Sequence, residues 1–229
     1  EDKGSRILVT ALNTIPIGQK AYVKIETNMD VTGWGEINNM ETRVACSLAD
    51  SLGQLLIGEN PTRIEHHWQR LFRSHRNLRG GGLMLHVISA IDMALWDIAG
   101  KLYGVPVYRL LGGPVRDKIW MYPSPKAIKV SPGGGQAFAG TPADVEGLVE
   151  RVRQARAKVG ADGAVMFDAH SCLPPPLVKQ FASYLKSDDL LFLEEAWVPG
   201  NIDVMRKVRE SVSVPLATGE RDRTIWEVR

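Results

Sequence analysis

Three acids stand at equal intervals in the second half of the chain. Asp168 closes "VMFDAH", Glu194 lies in "LLFLEEAW" and Glu220 in "ATGER", each 26 residues after the last. Each follows an apolar run of strand character, so the interval has the length of one strand-helix-strand repeat. Equal repeats in a parallel barrel set equivalent positions at one height on neighbouring strands, which predicts that the three carboxylates converge at the carboxyl-end face. Carboxylates crowded in a partly dry site must protonate or acquire a cation. Three hard oxygen donors with room for water suit Mg2+ better than a soft metal. The competing reading of any one of these acids is a cap on the next helix or a partner for Arg or Lys. His170 follows Asp168 by two, which puts both on one face if the strand continues. There it has three readings: metal ligand, acid or base acting on a bound substrate, or structural group.

These residues need a frame of alternating strands and helices, and the sequence supplies one. Beyond "LLGGPVRDK" the order is strand, helix, strand, helix: "KIWMY" and "KAIKV" read as strands, "TPADVEGLVERVRQARAKVG" as a helix, "GAVMFDAH" as a strand, "PPPLVKQFASYL" as a helix, "LLFLEEAW" as a strand, "NIDVMRKVRESV" as a helix and "VPLATGE" as a strand. Such alternation predicts α/β architecture around a parallel sheet. Only "PSP" separates "KIWMY" from "KAIKV", whereas a parallel crossover needs a dozen residues or more. Either the two form an antiparallel hairpin or a segment is missing between Pro125 and Lys126; the helix in every later crossover favours the missing segment. "TIWEVR" stops as another helix begins, so the sequence is expected to continue beyond Arg229.

The first half differs. Residues 6–37 alternate in polarity and carry turn signals, which predicts a short antiparallel meander. "ETRVACSLADSLGQLLIG", "PTRIEHHWQRLFR" and "LMLHVISAIDMALWDIAGKLYG" place apolar residues three and four apart, as in helices, with Pro61 at the expected first turn of the second. In the third, Leu85, Ile88, Ile91, Leu95 and Ile98 form a wide stripe of a largely buried helix. The domain boundary is placed near Gly113, giving an α+β domain over 1–113 and the start of a (β/α) barrel over 114–229.

Composition excludes several classes of function. With 229 residues, 44% hydrophobic, the chain is globular, and 28 basic against 26 acidic side chains leave a net charge of +2 with no basic stripe for nucleic acid. The two cysteines, Cys46 and Cys172, are in no metal-ligand spacing and point to a reducing cytoplasm. No run approaches eighteen consecutive apolar residues, and "EDKGSRILVT" lacks the order of a signal peptide, so no membrane role is expected. "SPGGG" at 131–135 lacks the lysine-serine ending of a phosphate-binding loop and reads as a mobile loop.

Taken together, "VTGWGE", "SAIDMALWDIAGKLYGVPVYRLLGG", "FDAH", "FLEEAW" and "ATGER" resemble the mandelate racemase and muconate lactonizing branch of the enolase superfamily. The resemblance implies an N-terminal α+β capping domain, whose loops close over the substrate, and a modified (β/α)8 barrel, incomplete here. It puts Asp168, Glu194 and Glu220 on the three Mg2+ ligands, in enzymes that abstract the proton α to a carboxylate and stabilise the enediolate with the metal. The second barrel strand, "IKVSP", has Lys129 followed two on by Ser131, so the lysine base of racemases is absent. The remaining Asp-x-His pattern is that of sugar-acid dehydratases, above all the galactonate type. There the histidine matching His170 protonates the departing 3-hydroxyl, and a second histidine on a later strand, expected here beyond Arg229, takes the α proton. Two departures stand out: Ala196 replaces the family proline, and Trp197 either lines the pocket or packs. Lys129 and, from the basic loop "RSHRNLRGGG", Arg79 are the candidate substrate-binding residues. The resemblance further implies a small-molecule sugar-acid substrate and a symmetric homo-oligomer, often an octamer. An epimerase of the same superfamily and a non-catalytic metal-binding homologue remain as alternatives.

Overall fold

The structure is a computed structural model that describes residues 6–75, 77, 81–132, 140–186, 188–198 and 200–228. It divides into two compact units, Glu1–Asp117 and Lys118–Arg229.

In the first unit, β1 (Val9–Ile17), β2 (Lys20–Thr27) and β3 (Thr32–Ile37) form an antiparallel sheet in sequence order. The alternation seen in the sequence becomes burial: Ala21, Val23 and Ile25 of β2 point into the core. Helices α1 (Thr42–Gly53), α2 (Ile64–Ser74) and α3 (Gly82–Tyr103) follow, then the single turn α4 (Val107–Leu110). The α1 helix is shorter than its periodicity, because the chain beyond Gly53 tightens into turns in which Leu55 and Leu56 donate to the carbonyls of Leu52 and Gly53. Pro61 is not in the first turn of α2, which begins at Ile64. It sits in the preceding turn, where the Asn60 side-chain oxygen accepts from the Thr62 N–H at 2.8 Å. The α3 helix is long and apolar enough to cross a membrane by length and composition. Its stripe of Leu85, Ile88, Ile91, Leu95 and Ile98 is instead buried in the core of this unit. It ends at Gly104, whose φ of 69° is the left-handed C-cap that glycine adopts without strain.

The second unit contains β4 (Ala127–Val130), α5 (Pro142–Val159), β5 (Ala164–Asp168), α6 (Pro175–Ser183), β6 (Phe192–Glu194), α7 (Ile202–Ser211), β7 (Leu216–Ala217) and the short α8 (Ile225–Val228). The strands pair in parallel in the order β4-β5-β6-β7, with α5, α6 and α7 as crossovers. All five residues of β5 are buried, as an apolar strand covered on both faces requires. Val165 and Phe167 pack under the helices, the Phe167 and Phe181 rings 4.7 Å apart, while Met166 shares the other face with Ala127, Ala164 and Phe192. Thr141 and Asp144 form a reciprocal capping box at the start of α5.

"KIWMY" is not a strand. Ile119, Trp120 and Met121 are 75%, 61% and 69% exposed. The chain passes Pro125 and Lys126 in a tight turn where Ser124 and Ala127 exchange backbone hydrogen bonds at 2.9 and 3.1 Å, an isolated antiparallel bridge. So short a link cannot return the chain parallel to β4, and the parallel sheet starts at Ala127.

Candidate metal centre

Asp168 and Glu194 end β5 and β6 and are register partners, so equal spacing does put them side by side. Glu220 arrives differently. The residue paired with Glu194 on the next strand is Ala217, three positions earlier. After Ala217 the chain turns through Gly219, which accepts from the Asp222 N–H, and Glu220 reaches the site from that turn. The three carboxylates nonetheless meet: one oxygen of each lies within 4.8 Å of the others. Opposite oxygens of an octahedral site with ligands near 2.1 Å are roughly 4.2 Å apart. The spread and the all-carboxylate donor set therefore suit a hard divalent cation.

Lys129 enters the same cluster from β4. Its Nζ lies 2.8 Å from Asp168 Oδ2 and 2.5 Å from Glu194 Oε2, and 5.9 Å from the centre of the Tyr122 ring. Partial burial works to lower the lysine's pKa, but hydrogen bonds and charge from the two carboxylates outweigh it and hold the pKa above its ordinary value. The ammonium is thus firmly charged.

His170 also comes near Asp168, though not by strand alternation. β5 stops at Asp168, and His170 and Ser171 take left-handed φ values of 47° and 58°. In this turn the His170 N–H donates to Asp168 Oδ1 at 3.0 Å, and the ring folds back until Nε2 is 3.4 Å from Oδ2. The expectation that Asp168 and His170 are neighbours holds through a turn instead of a shared strand face. Arg79 and the glycines 133–135 lie outside the described residues.

One group was not foreseen. Behind the acids, the Glu195 carboxylate is fully buried and accepts from Thr218 Oγ1 at 2.8 Å, while Arg221 Nη1 donates to it and to Ser171 Oγ. The signal was present in "EE": when Glu194 faces the site, the next residue must face the covered side, where an acid needs a cation. Trp197 lines a cavity of about 600 Å³ beside β7 and α7 with Met205, Leu216 and Arg221. The acid triad is not part of its wall.

Comparison with known proteins places the chain in a family. Residues 3–112 match the mandelate racemase / muconate lactonizing enzyme N-terminal domain, and residues 122–229 match the enolase C-terminal domain-like family. A D-galactonate dehydratase family member of Streptomyces bingchenggensis is 32% identical over 268 residues, covering 96% of this chain and 65% of the relative. D-galactonate dehydratase of Variovorax paradoxus is 33% identical over 243 residues, covering 96% of the chain and 63% of that protein. The chain thus spans somewhat less than two thirds of these relatives. Among solved structures, a member of the enolase superfamily from Salmonella Typhimurium aligns with a TM-score of 0.87 at 25% identity, over 97% of this chain and 70% of that one. An enolase from Pantoea ananatis with bound D-gluconate and Mg aligns with a TM-score of 0.83 at 27% identity, over 97% and 68%. The four parallel strands are accordingly part of a (β/α)8-type barrel, and the chain belongs to the mandelate racemase/muconate lactonizing enzyme branch of the enolase superfamily.

Proposed function

We propose that this chain carries the metal site and general acid of a Mg2+-dependent sugar-acid dehydratase acting on galactonate or a related acid. The observation that carries the reading is the convergence of Asp168, Glu194 and Glu220 within 4.8 Å, with the His170 imidazole 3.4 Å from Asp168. The names of the D-galactonate dehydratases at 32–33% identity support the substrate class.

Asp168, Glu194 and Glu220 hold the cation. When bound, Mg2+ supplies positive charge to the substrate carboxylate as its α proton leaves. Lys129, which reaches the same cluster from β4, holds the substrate's own carboxylate. His170, a third exposed at 34%, gives a proton to the 3-hydroxyl as the C3–O bond breaks, so that water departs. The electron pair of the broken C2–H bond becomes the C2–C3 double bond, and the resulting enol tautomerises to a 2-keto-3-deoxy acid. The α proton goes to a second base, which in the galactonate-type pattern is a histidine on a later barrel strand; residues 221–229 contain no histidine.

The test is incubation of the protein with Mg2+ and a panel of hexonic and hexaric acids, scored for 2-keto product. Turnover on one stereochemical class is expected. Asp168→Asn should abolish it together with Mg2+ binding. His170→Asn should reduce it about 10² to 10⁴-fold with Mg2+ still bound. Absence of product from the whole panel while Mg2+ binds would sink the dehydratase reading, and solvent deuterium at the α carbon without water loss would replace it with an epimerase.

A further inference from the structure

We propose that Arg221 is a positioning residue that locks the turn carrying His170 from behind the metal site. The inference rests on the role given above to His170. A single guanidinium joins the ends of three strands: Nη1 donates to Ser171 Oγ after β5 and to Glu195 Oε2 after β6, and Nη2 lies 3.6 Å from Glu220 Oε1 after β7.

The backbone explains why a lock is needed. His170, Ser171 and Glu195 have φ of 47°, 58° and 45°, a left-handed region that side chains with a Cβ resist. Such residues persist only where their surroundings over-determine them. Two of the three side chains, Ser171 and Glu195, are partners of Arg221, and the Ser171 N–H donates to the Glu195 carbonyl at 2.8 Å. Further bonds fix the Glu195 carboxylate itself, from Thr218 Oγ1 at 2.8 Å and the Gly219 N–H at 3.4 Å. The chain of contacts thus runs from Arg221 through Ser171 to the adjacent His170, whose ring must stay on Asp168. Arg221 acts through these residues; its guanidinium forms hydrogen bonds and ion pairs with Ser171, Glu195 and Glu220 and none with His170 or Asp168. A lysine at 221 keeps the charge but not the fork that spans Ser171, Glu195 and Glu220.

The experiment compares wild type with Arg221→Gln and Arg221→Lys, reading kcat and KM separately, Mg2+ affinity by calorimetry, and the His170 imidazole signals by NMR, assigned through His170→Asn. Displacement of an acid by an ångström costs about 100-fold in rate. Arg221→Gln should therefore lose about that factor in kcat with KM within about threefold, and shift the His170 signals; Arg221→Lys should recover part of both. If Arg221→Gln fails to fold, the pair Glu195→Gln/Arg221→Gln removes the buried charge altogether and carries the same expectation. Unchanged kcat and unshifted His170 signals in a folded variant, with only a lower melting temperature, would overturn the proposal and leave Arg221 a structural ion pair. If the wild type dehydrates none of the acids, the functional reading has failed on its own. Arg221 is then judged by the His170 signals alone, and a shift supports it.

Discussion

His67, at the inner face of α2, is 1% exposed. Its Nε2–H donates to the Asn60 carbonyl at 2.7 Å, while Nδ1 is buried with no hydrogen-bond partner among the described residues. Protonation would put a donor at Nδ1 with nothing to receive it. Burial accordingly pushes the pKa below its ordinary 6.5, only partly offset by the Asn60 bond. The folded state then binds this proton less tightly than the unfolded one. Stability from His67 is complete above the unfolded-state value and is lost as pH falls through the lower folded value. Urea midpoints are expected to fall between pH 7.5 and pH 5, with a slope from this one group of at most about 1.4 kcal/mol per pH unit. His67→Gln should flatten that part of the profile; an unchanged slope would show that other groups cause it. Periodicity placed His67 on a helix, but its burial depends on long-range packing that periodicity does not show. The convergence of Asp168, Glu194 and Glu220 was more legible because an interval of 26 residues is a long-range statement in itself. Even so, Glu220 reaches the site by a turn, which equal spacing does not reveal.

Two glycines show what an element demands of its neighbours. An added Cβ on Gly33 would lie 2.0 Å from the Ala94 carbonyl oxygen, and on Gly35 1.8 Å from that of Ala90. β3 and α3 therefore pack backbone against backbone, over the Ala90 and Ala94 turns. "VTGWGE" and "SAIDMALWDIAG" are thus two halves of one contact, a pairing that neither stretch displays alone. Gly35→Ala must push α3 away or bend β3, since a carbonyl cannot rotate aside, and is expected to cost about 1–3 kcal/mol or more. Gly147, exposed in the middle of α5, is the opposite case: nothing lies within 4 Å of its added Cβ. Gly147→Ala should stabilise by about 0.5–1 kcal/mol through helix propensity alone. Denaturant midpoints of the two variants should move in opposite directions, and a loss for both would mean that α5 bears a constraint other than propensity. Strand identity was least secure where it rested on composition: "KIWMY" has the residues of a strand but no room in the link to become one.

At the scale of the whole chain, the two units have separate hydrophobic cores. One is built on β1–β3 and α1–α3, the other on β4–β7 and the crossover helices. All three acids belong to the second. Linkage then makes a directional prediction. A cation stabilises only those openings that release it, by RT ln(1 + [L]/Kd), about 2.7 kcal/mol at a hundredfold excess over Kd. In hydrogen exchange, Mg2+ at that excess should slow amides at the ends of β5, β6 and β7 by about a hundredfold where opening breaks the triad. Ala169, whose N–H donates to Glu194, and Glu195, whose N–H donates to Ala217, are the reporters. Amides of β1–β3, such as Val23 and Ile25, should exchange at an unchanged rate, because opening that sheet leaves the three carboxylates in place. Protection of both sets to the same degree would show that the units open as one, and that the metal stabilises the entire molecule. Protection of neither, with Mg2+ bound by calorimetry, would place the cation elsewhere than on Asp168, Glu194 and Glu220.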